Sequence, residues 1–241
     1  MKSKASAAEK IIIALDVGTK AEALALAIEL PEARTFKVGM ELFTAEGPSL
    51  LEDIAGLGKK VFLDLKYHDI PNTAAGAVRS AVRLGVHMLT LHTSGGREML
   101  SRAAEAARSE AAAANRPQPI LLGVTVLTSL KDEQLREIGF ASSVAEQVLR
   151  LATLAKETGV TGVVCSPHEI EVIKRGLGRD FLVVTPGIRP AWAATQDQKR
   201  ILTPAEAVGR GADYLVIGRP VTAARSPRDA FALIVQEIEK A

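Results

Sequence analysis

The chain has 241 residues, 47% of them hydrophobic and 24% charged, enough to bury a full core as two small domains or as one α/β barrel. Its 30 basic and 28 acidic residues leave a formal net charge of +2 with no block of like charge, which argues against a nucleic-acid-binding arm or a membrane-surface patch. The single cysteine, Cys165, excludes an internal disulfide framework, and His68, His87, His92 and His168 lack the paired spacing of a zinc site, so a reducing cytoplasm is the expected setting.

Residues 1–10, "MKSKASAAEK", are polar and are expected to form a flexible tail ahead of a catalytic domain over 11–241. The apolar run that follows is too short for a signal-peptide core or a membrane span. Short apolar runs ending in small, polar or charged residues then recur along the chain, as do the strands of a fully covered parallel sheet. In order they are "IIIALD" (11–16), "TFKVG" (35–39), "KVFLDLK" (60–66), "HMLTLH" (87–92), "ILLGVTVL" (120–127), "GVVCS" (162–166), "FLVVTPG" (181–187) and "DYLVIG" (213–218). Between them lie Ala-rich amphipathic segments such as "AEALALAIEL" and "VAEQVLRLATLAKETG", spaced as helices with one apolar face.

Eight β-then-α units without a Pro/Gly/Ser-rich linker predict a single-domain (β/α)8 barrel rather than an open doubly wound sheet. The longest interval, between the fifth and sixth strands, holds "TSLKDEQLREIG", which reads as a lid or rim insertion, and "NRPQP" reads as a surface turn. In such a barrel, chemistry sits at the C-terminal ends of the strands.

At those ends the third strand carries "DLKYHD". Asp64 and Lys66 are two apart, so on a regular strand they face the same way, roughly 6 to 7 Å apart along the backbone. Lys37, flanked by Phe36 and Val38, is expected to face the same interior. Asp69 extends the alternation of charge if its loop bends back or if a second subunit supplies it. A buried salt-bridge network would satisfy these groups by pairing alone, yet ionisable clusters in a barrel mouth are where proteins tune proton affinity for chemistry. A lysine set between carboxylates keeps its proton, so it serves poorly as a nucleophile and well as a cation and proton donor beside a developing carbanion.

The seventh and eighth strands end in "TPGIRP" and "VIGRPV", matching the usual phosphate site of such barrels: Gly187 and Gly218 let the backbone approach an anion, and Arg189 or Arg219 can clamp it. Cys165 is expected to be inert and buried, His92 to line the pocket or pack, and Trp192 to pack at the surface.

The ordered series "IIIALD", "FKVGMELF", "FLDLKYHDIPNT", "VTVLTS", "GVVCS", "VTPGIRP" and "YLVIGRPVT" closely resembles the orotidine 5′-phosphate decarboxylase family, whose members form uridine monophosphate in pyrimidine synthesis. The resemblance implies that Lys66 protonates C6 of the pyrimidine, that Asp64 presses on the substrate carboxylate, and that Lys37 completes the charge chain while reaching the ribose. It implies that Asp69, Ile70 and Thr73 are contributed across a homodimer interface and that Asp16 binds a ribose hydroxyl. Thr128 and Ser129 resemble residues that meet the pyrimidine beneath a lid; Gln198, Arg189, Arg219 and the Gly218 backbone resemble the phosphate grip. The family uses no metal and no organic cofactor. Two rivals remain: a magnesium-dependent sugar-phosphate decarboxylase or aldolase of the same superfamily, against which Lys37 argues because those relatives carry an acid there, and a non-catalytic binder of phosphorylated nucleotides, which would be expected to have lost part of the charged cluster.

Overall fold

A computed structural model describes residues 6–193 and 202–240. Eight strands, β1 (Ile11–Leu15), β2 (Thr35–Gly39), β3 (Lys60–Tyr67), β4 (Met88–His92), β5 (Ile120–Val124), β6 (Gly162–Val164), β7 (Leu182–Thr185) and β8 (Tyr214–Ile217), follow one another around a closed barrel in chain order. The helices are α1 (Lys20–Glu29), α2 (Met40–Glu46), α3 (Ser49–Gly56), α4 (Pro71–Arg83), α5 (Gly96–Ala113), α6 (Asp132–Glu137), α7 (Val144–Glu157), α8 (Ile170–Leu177), α9 (Pro204–Gly209), α10 (Arg219–Thr222) and α11 (Pro227–Glu239). The (β/α)8 architecture expected from the alternation is the one found. None of the helices is long and apolar enough to cross a membrane among the described residues.

The chain divides into two compact units, Met1–Leu65 with Thr185–Ala241, and Lys66–Val184. In the first, β1 pairs in parallel with both β2 and β8, and β2 pairs with β3, Gly39 opposite Asp64. Every residue of β1 is buried, as a strand covered on both faces demands, and Phe36 of β2 is wholly shielded. Beneath Phe36, Lys59 donates to the carbonyls of Leu30, Pro31 and Ala33 with its ammonium 5.6 Å from the ring centroid. Just ahead of β1, Ala8–Lys10 form a short 3₁₀ turn.

In the second unit β4, β5, β6 and β7 pair in parallel in sequence. The ladder ends earlier than the apolar runs predict: β5 stops at Val124 although Thr125 and Val126 remain buried. Side-chain bonds take over there, with the Thr93 hydroxyl donating to the Val124 carbonyl at 2.7 Å and the Thr125 hydroxyl to the Val164 carbonyl at 3.3 Å. The seventh strand ends at Thr185, just before Pro186, which has no N–H to offer a neighbour. The expected insertion after β5 holds the short helix α6, and its Asp132 carboxylate accepts the Val144 N–H at the start of α7. Cys165 is buried, as expected for an inert core thiol, and Trp192 is half-exposed at the surface.

Three helices begin with a capping box in which a hydroxyl and a glutamate exchange bonds with each other's backbone: Thr19 with Glu22 at α1, Ser143 with Glu146 at α7, and Thr203 with Glu206 at α9. A different arrangement precedes α8, where the buried Glu169 carboxylate accepts the Ser166 N–H at 2.8 Å. Burial pushes the Glu169 carboxyl above the usual range, and the bonds from Ser166 only partly offset this. The folded state therefore holds that proton more tightly than the unfolded chain, and stability is lost as pH rises from the ordinary glutamate range through the raised value. Urea midpoints measured across that interval should fall with pH, and Glu169→Gln should flatten the slope; an unchanged slope would show that the proton is not bound there.

Candidate active site

The first unit carries a chain of alternating charge. Lys37 leaves β2 next to two carboxylates: its Nζ donates to Asp16 Oδ1 at 3.0 Å and lies 3.8 Å from Asp64 Oδ2. Only 12% of the Lys37 side chain and 13% of Asp64 are exposed, against 63% for Asp16. The Lys37–Asp64 pair is therefore largely withdrawn from water and little screened by salt, while the wet Asp16 contact adds at most about 1 kcal/mol to stability.

Strand register explains the grouping. Ala14 lies opposite Lys37 and Gly39 lies opposite Asp64, so the carboxylate two residues beyond Ala14 and the one directly across from Gly39 both come within reach of one ammonium. Glycine at 39 leaves room for the ammonium, and glycine at 218 stands in ordinary contact distance of Asp16. A methyl group on Gly39 would lie 3.2 Å from Lys37 Nζ and 3.9 Å from Asp16 Oδ1, and one on Gly218 would lie 3.5 Å from Asp16 Oδ2. The direct Asp16–Lys37 pair is a feature that the sequence motifs did not reveal, because it depends on the register between β1 and β2.

The same unit holds the candidate phosphate residues. After β7, Gly187 takes φ +76°, a conformation that glycine adopts without strain, and the chain continues through buried Ile188 to Arg189, whose N–H donates to the Leu202 carbonyl at 3.2 Å. After β8, Gly218 precedes α10, and the exposed Arg219 is the first residue of that single helical turn. Gln198 lies outside the described residues.

In the second unit, Lys66 is the first residue after the unit boundary and still belongs to β3. Regular alternation does not survive there: Lys66 has φ +52°, left-handed for a residue with a Cβ. That conformation costs roughly 1–2 kcal/mol and persists only where surroundings enforce it, most often at functional sites. Its N–H donates to the Thr90 hydroxyl on β4 at 2.9 Å. The next residue, Tyr67, has its phenol pushed above the ordinary range by burial.

Beyond β3 the backbone becomes exposed. His68 lies 5.3 Å from His92, ring centre to ring centre. The Asp69 carboxylate accepts the N–H of Ile70 at 2.6 Å. Ile70, a large apolar residue, is 67% exposed, and Thr73 in the first turn of α4 is exposed as well. Asp69, Ile70 and Thr73 thus share one solvent-facing segment. Thr128 and Ser129 sit exposed in a turn closed by the Leu130 N–H on the Leu127 carbonyl, ahead of α6. Among the described residues, no three His, Cys, Asp or Glu side chains gather as ligands for a metal ion.

A closed (β/α)8 barrel with a lysine and carboxylates at successive strand ends has the form of a barrel enzyme. Residues 9–234 match the Orotidine 5′-phosphate decarboxylase / HUMPS family, and the chain belongs to it. It is 54% identical over 97% of its length to the orotidine 5′-phosphate decarboxylase of Moorella thermoacetica, covering 93% of that protein. It is 50% identical to that of Syntrophomonas wolfei, covering 97% of this chain and 99% of the other. Its backbone superposes on the crystal structure of orotidine 5′-phosphate decarboxylase from Lactobacillus acidophilus with a TM-score of 0.86 at 39% identity, covering 95% of this chain and 99% of that one. The protein is a carboxy-lyase of this family.

Gly39 tests how finely the charge chain is set. Its φ of −89° suits any residue, so Gly39→Ala should leave the thermal midpoint nearly unchanged. The added methyl should move the Lys37 ammonium by a few tenths of an ångström and lower turnover on the order of tenfold. Wild-type kcat in the alanine chain would show that the ammonium's position is not critical.

Proposed function

We propose that this protein decarboxylates orotidine 5′-phosphate to uridine 5′-phosphate, with Lys66 as the proton donor to C6 and without a metal or organic cofactor. One observation carries the reading: Lys37 held between Asp16 and Asp64 at the ends of adjoining strands, with Lys66 two residues beyond Asp64. The matching family and the names of its relatives supply the substrate.

In this mechanism the C6–carboxylate bond breaks and carbon dioxide leaves, so the bonding electron pair stays on C6. The Lys66 ammonium stabilises that charge and then gives it a proton, forming the new C–H bond. Asp64, already short of water, faces the substrate carboxylate and favours its departure. A fixed cation beside a charge that exists only in the transition state lowers the barrier without tightening ground-state binding, and this electrostatic contribution is the larger one. Lys37 and Asp16 hold the ribose, Thr128 and Ser129 meet the pyrimidine, and Arg189, Gln198, Arg219 and the Gly218 backbone grip the phosphate. Binding energy from that remote phosphate draws the loops closed.

The protein acts as a homodimer in which Asp69, Ile70 and Thr73 complete the partner's site. Support comes from the exposure of all three on one segment, including an isoleucine that would otherwise stand in water.

Ultraviolet absorbance of orotidine 5′-phosphate should fall on addition of the protein and fall equally fast with a chelator present. Turnover lost on chelation would point instead to metal-dependent sugar-phosphate chemistry. Lys66→Ala should reduce kcat on the order of a thousandfold or more while leaving the affinity for uridine 5′-phosphate largely intact; near-normal turnover would remove Lys66 from the mechanism.

Mixing Asp69→Ala chains with Lys66→Ala chains should restore activity, because each hybrid dimer then contains one site with both residues intact. No recovery after demonstrated subunit exchange would place Asp69 in its own chain's site.

A further inference from the structure

β4 is apolar from Met88 to Leu91 except at one position, Thr90, whose side chain is completely shielded from water. A hydroxyl there gains nothing over the isosteric valine unless it has a polar partner. It finds one in the N–H of Lys66, 2.9 Å away, at the residue where β3 turns left-handed. The acceptor is a side chain rather than the carbonyl a parallel ladder would normally provide. A strained backbone conformation needs outside contacts to hold it, and this bond acts directly on the strained residue.

We propose that Thr90 is a positioning residue for the reaction: its hydroxyl fixes the left-handed backbone of Lys66 and thereby the place from which the Lys66 ammonium acts. The inference rests on Lys66 being the proton donor. Thr90 itself touches no reacting atom. It sets the root of a long side chain, and a small rotation at that root is magnified at Nζ.

The test compares Thr90→Val, which keeps the shape and removes the acceptor, with Thr90→Ser, which keeps the acceptor. The valine chain should lose kcat by about tenfold to a hundredfold, the range expected when a buried N–H loses its partner and a donor is misplaced. Its KM and its affinity for uridine 5′-phosphate by calorimetry should stay close to wild type, and its thermal midpoint should fall by only about a few degrees, the cost of one buried N–H without its acceptor. The serine chain should recover kcat to within about threefold of wild type. In a Lys66→Ala background, adding Thr90→Val should cause no further loss of kcat, since the positioning role runs through that lysine.

Wild-type kcat in the valine chain, or a serine chain as slow as the valine one, overturns the inference. So does a loss shared equally by kcat, product affinity and stability, which would mark a packing role alone. If the valine chain does not fold, Thr90→Cys, with a weaker acceptor at similar volume, takes its place, and full activity there overturns the inference. Lys66→Ala with normal turnover sinks the parent reading; a dead Lys66→Ala beside an unaffected Thr90→Val sinks only the role of Thr90.

Discussion

A lysine nearly shut off from water must have carboxylates within reach, and Lys37 obtains them from the strands on either side, Asp16 just past β1 and Asp64 on β3. Much else at this end of the chain serves that arrangement. Parallel pairing in the observed register sets the spacing, and glycine at 39 keeps a side chain out of the space that the Lys37 ammonium occupies. Fully buried β1 gives the cluster a rigid foundation. A cluster built this way has its charges fixed by the strands themselves.

The backbone plays a different part at the two lysines of the motif. Lys37 sits on a regular strand and its ammonium meets two carboxylates. At Lys66 the backbone itself is also fixed, in a conformation that most residues avoid, with Thr90 bonded to its amide. Electrostatic placement tolerates small backbone shifts because an ammonium can follow its partners. Backbone placement fixes direction and resists relaxation.

Most of the fold was legible in the sequence because strands covered on both faces write themselves as unbroken apolar runs, and "IIIAL" or "MLTL" leave little choice. Strand ends were less legible, since Thr125 and Val126 stay buried after the ladder has stopped and burial alone does not mark pairing. Within the site, the spacing of Asp64 and Lys66 and the apolar flanks of Lys37 were visible, and Lys37 does lie beside Asp64. The Asp16–Lys37 contact was not, because pairing register between strands twenty residues apart leaves no local trace. Nor was the turn of hand at Lys66: positive φ is signalled in sequence by glycine or asparagine, and a lysine inside a strand pattern signals the opposite.

The three capping boxes carry a consequence for how such an enzyme changes over generations. Each marks where a loop from the barrel's working end gives way to helix: after β1, after the α6 segment and after the β7 loop. Because four neighbouring residues determine each starting point, a loop can gain or lose length without shifting the helix behind it. Insertions and deletions are therefore absorbed ahead of the cap, and substrate range can drift while the scaffold keeps its register.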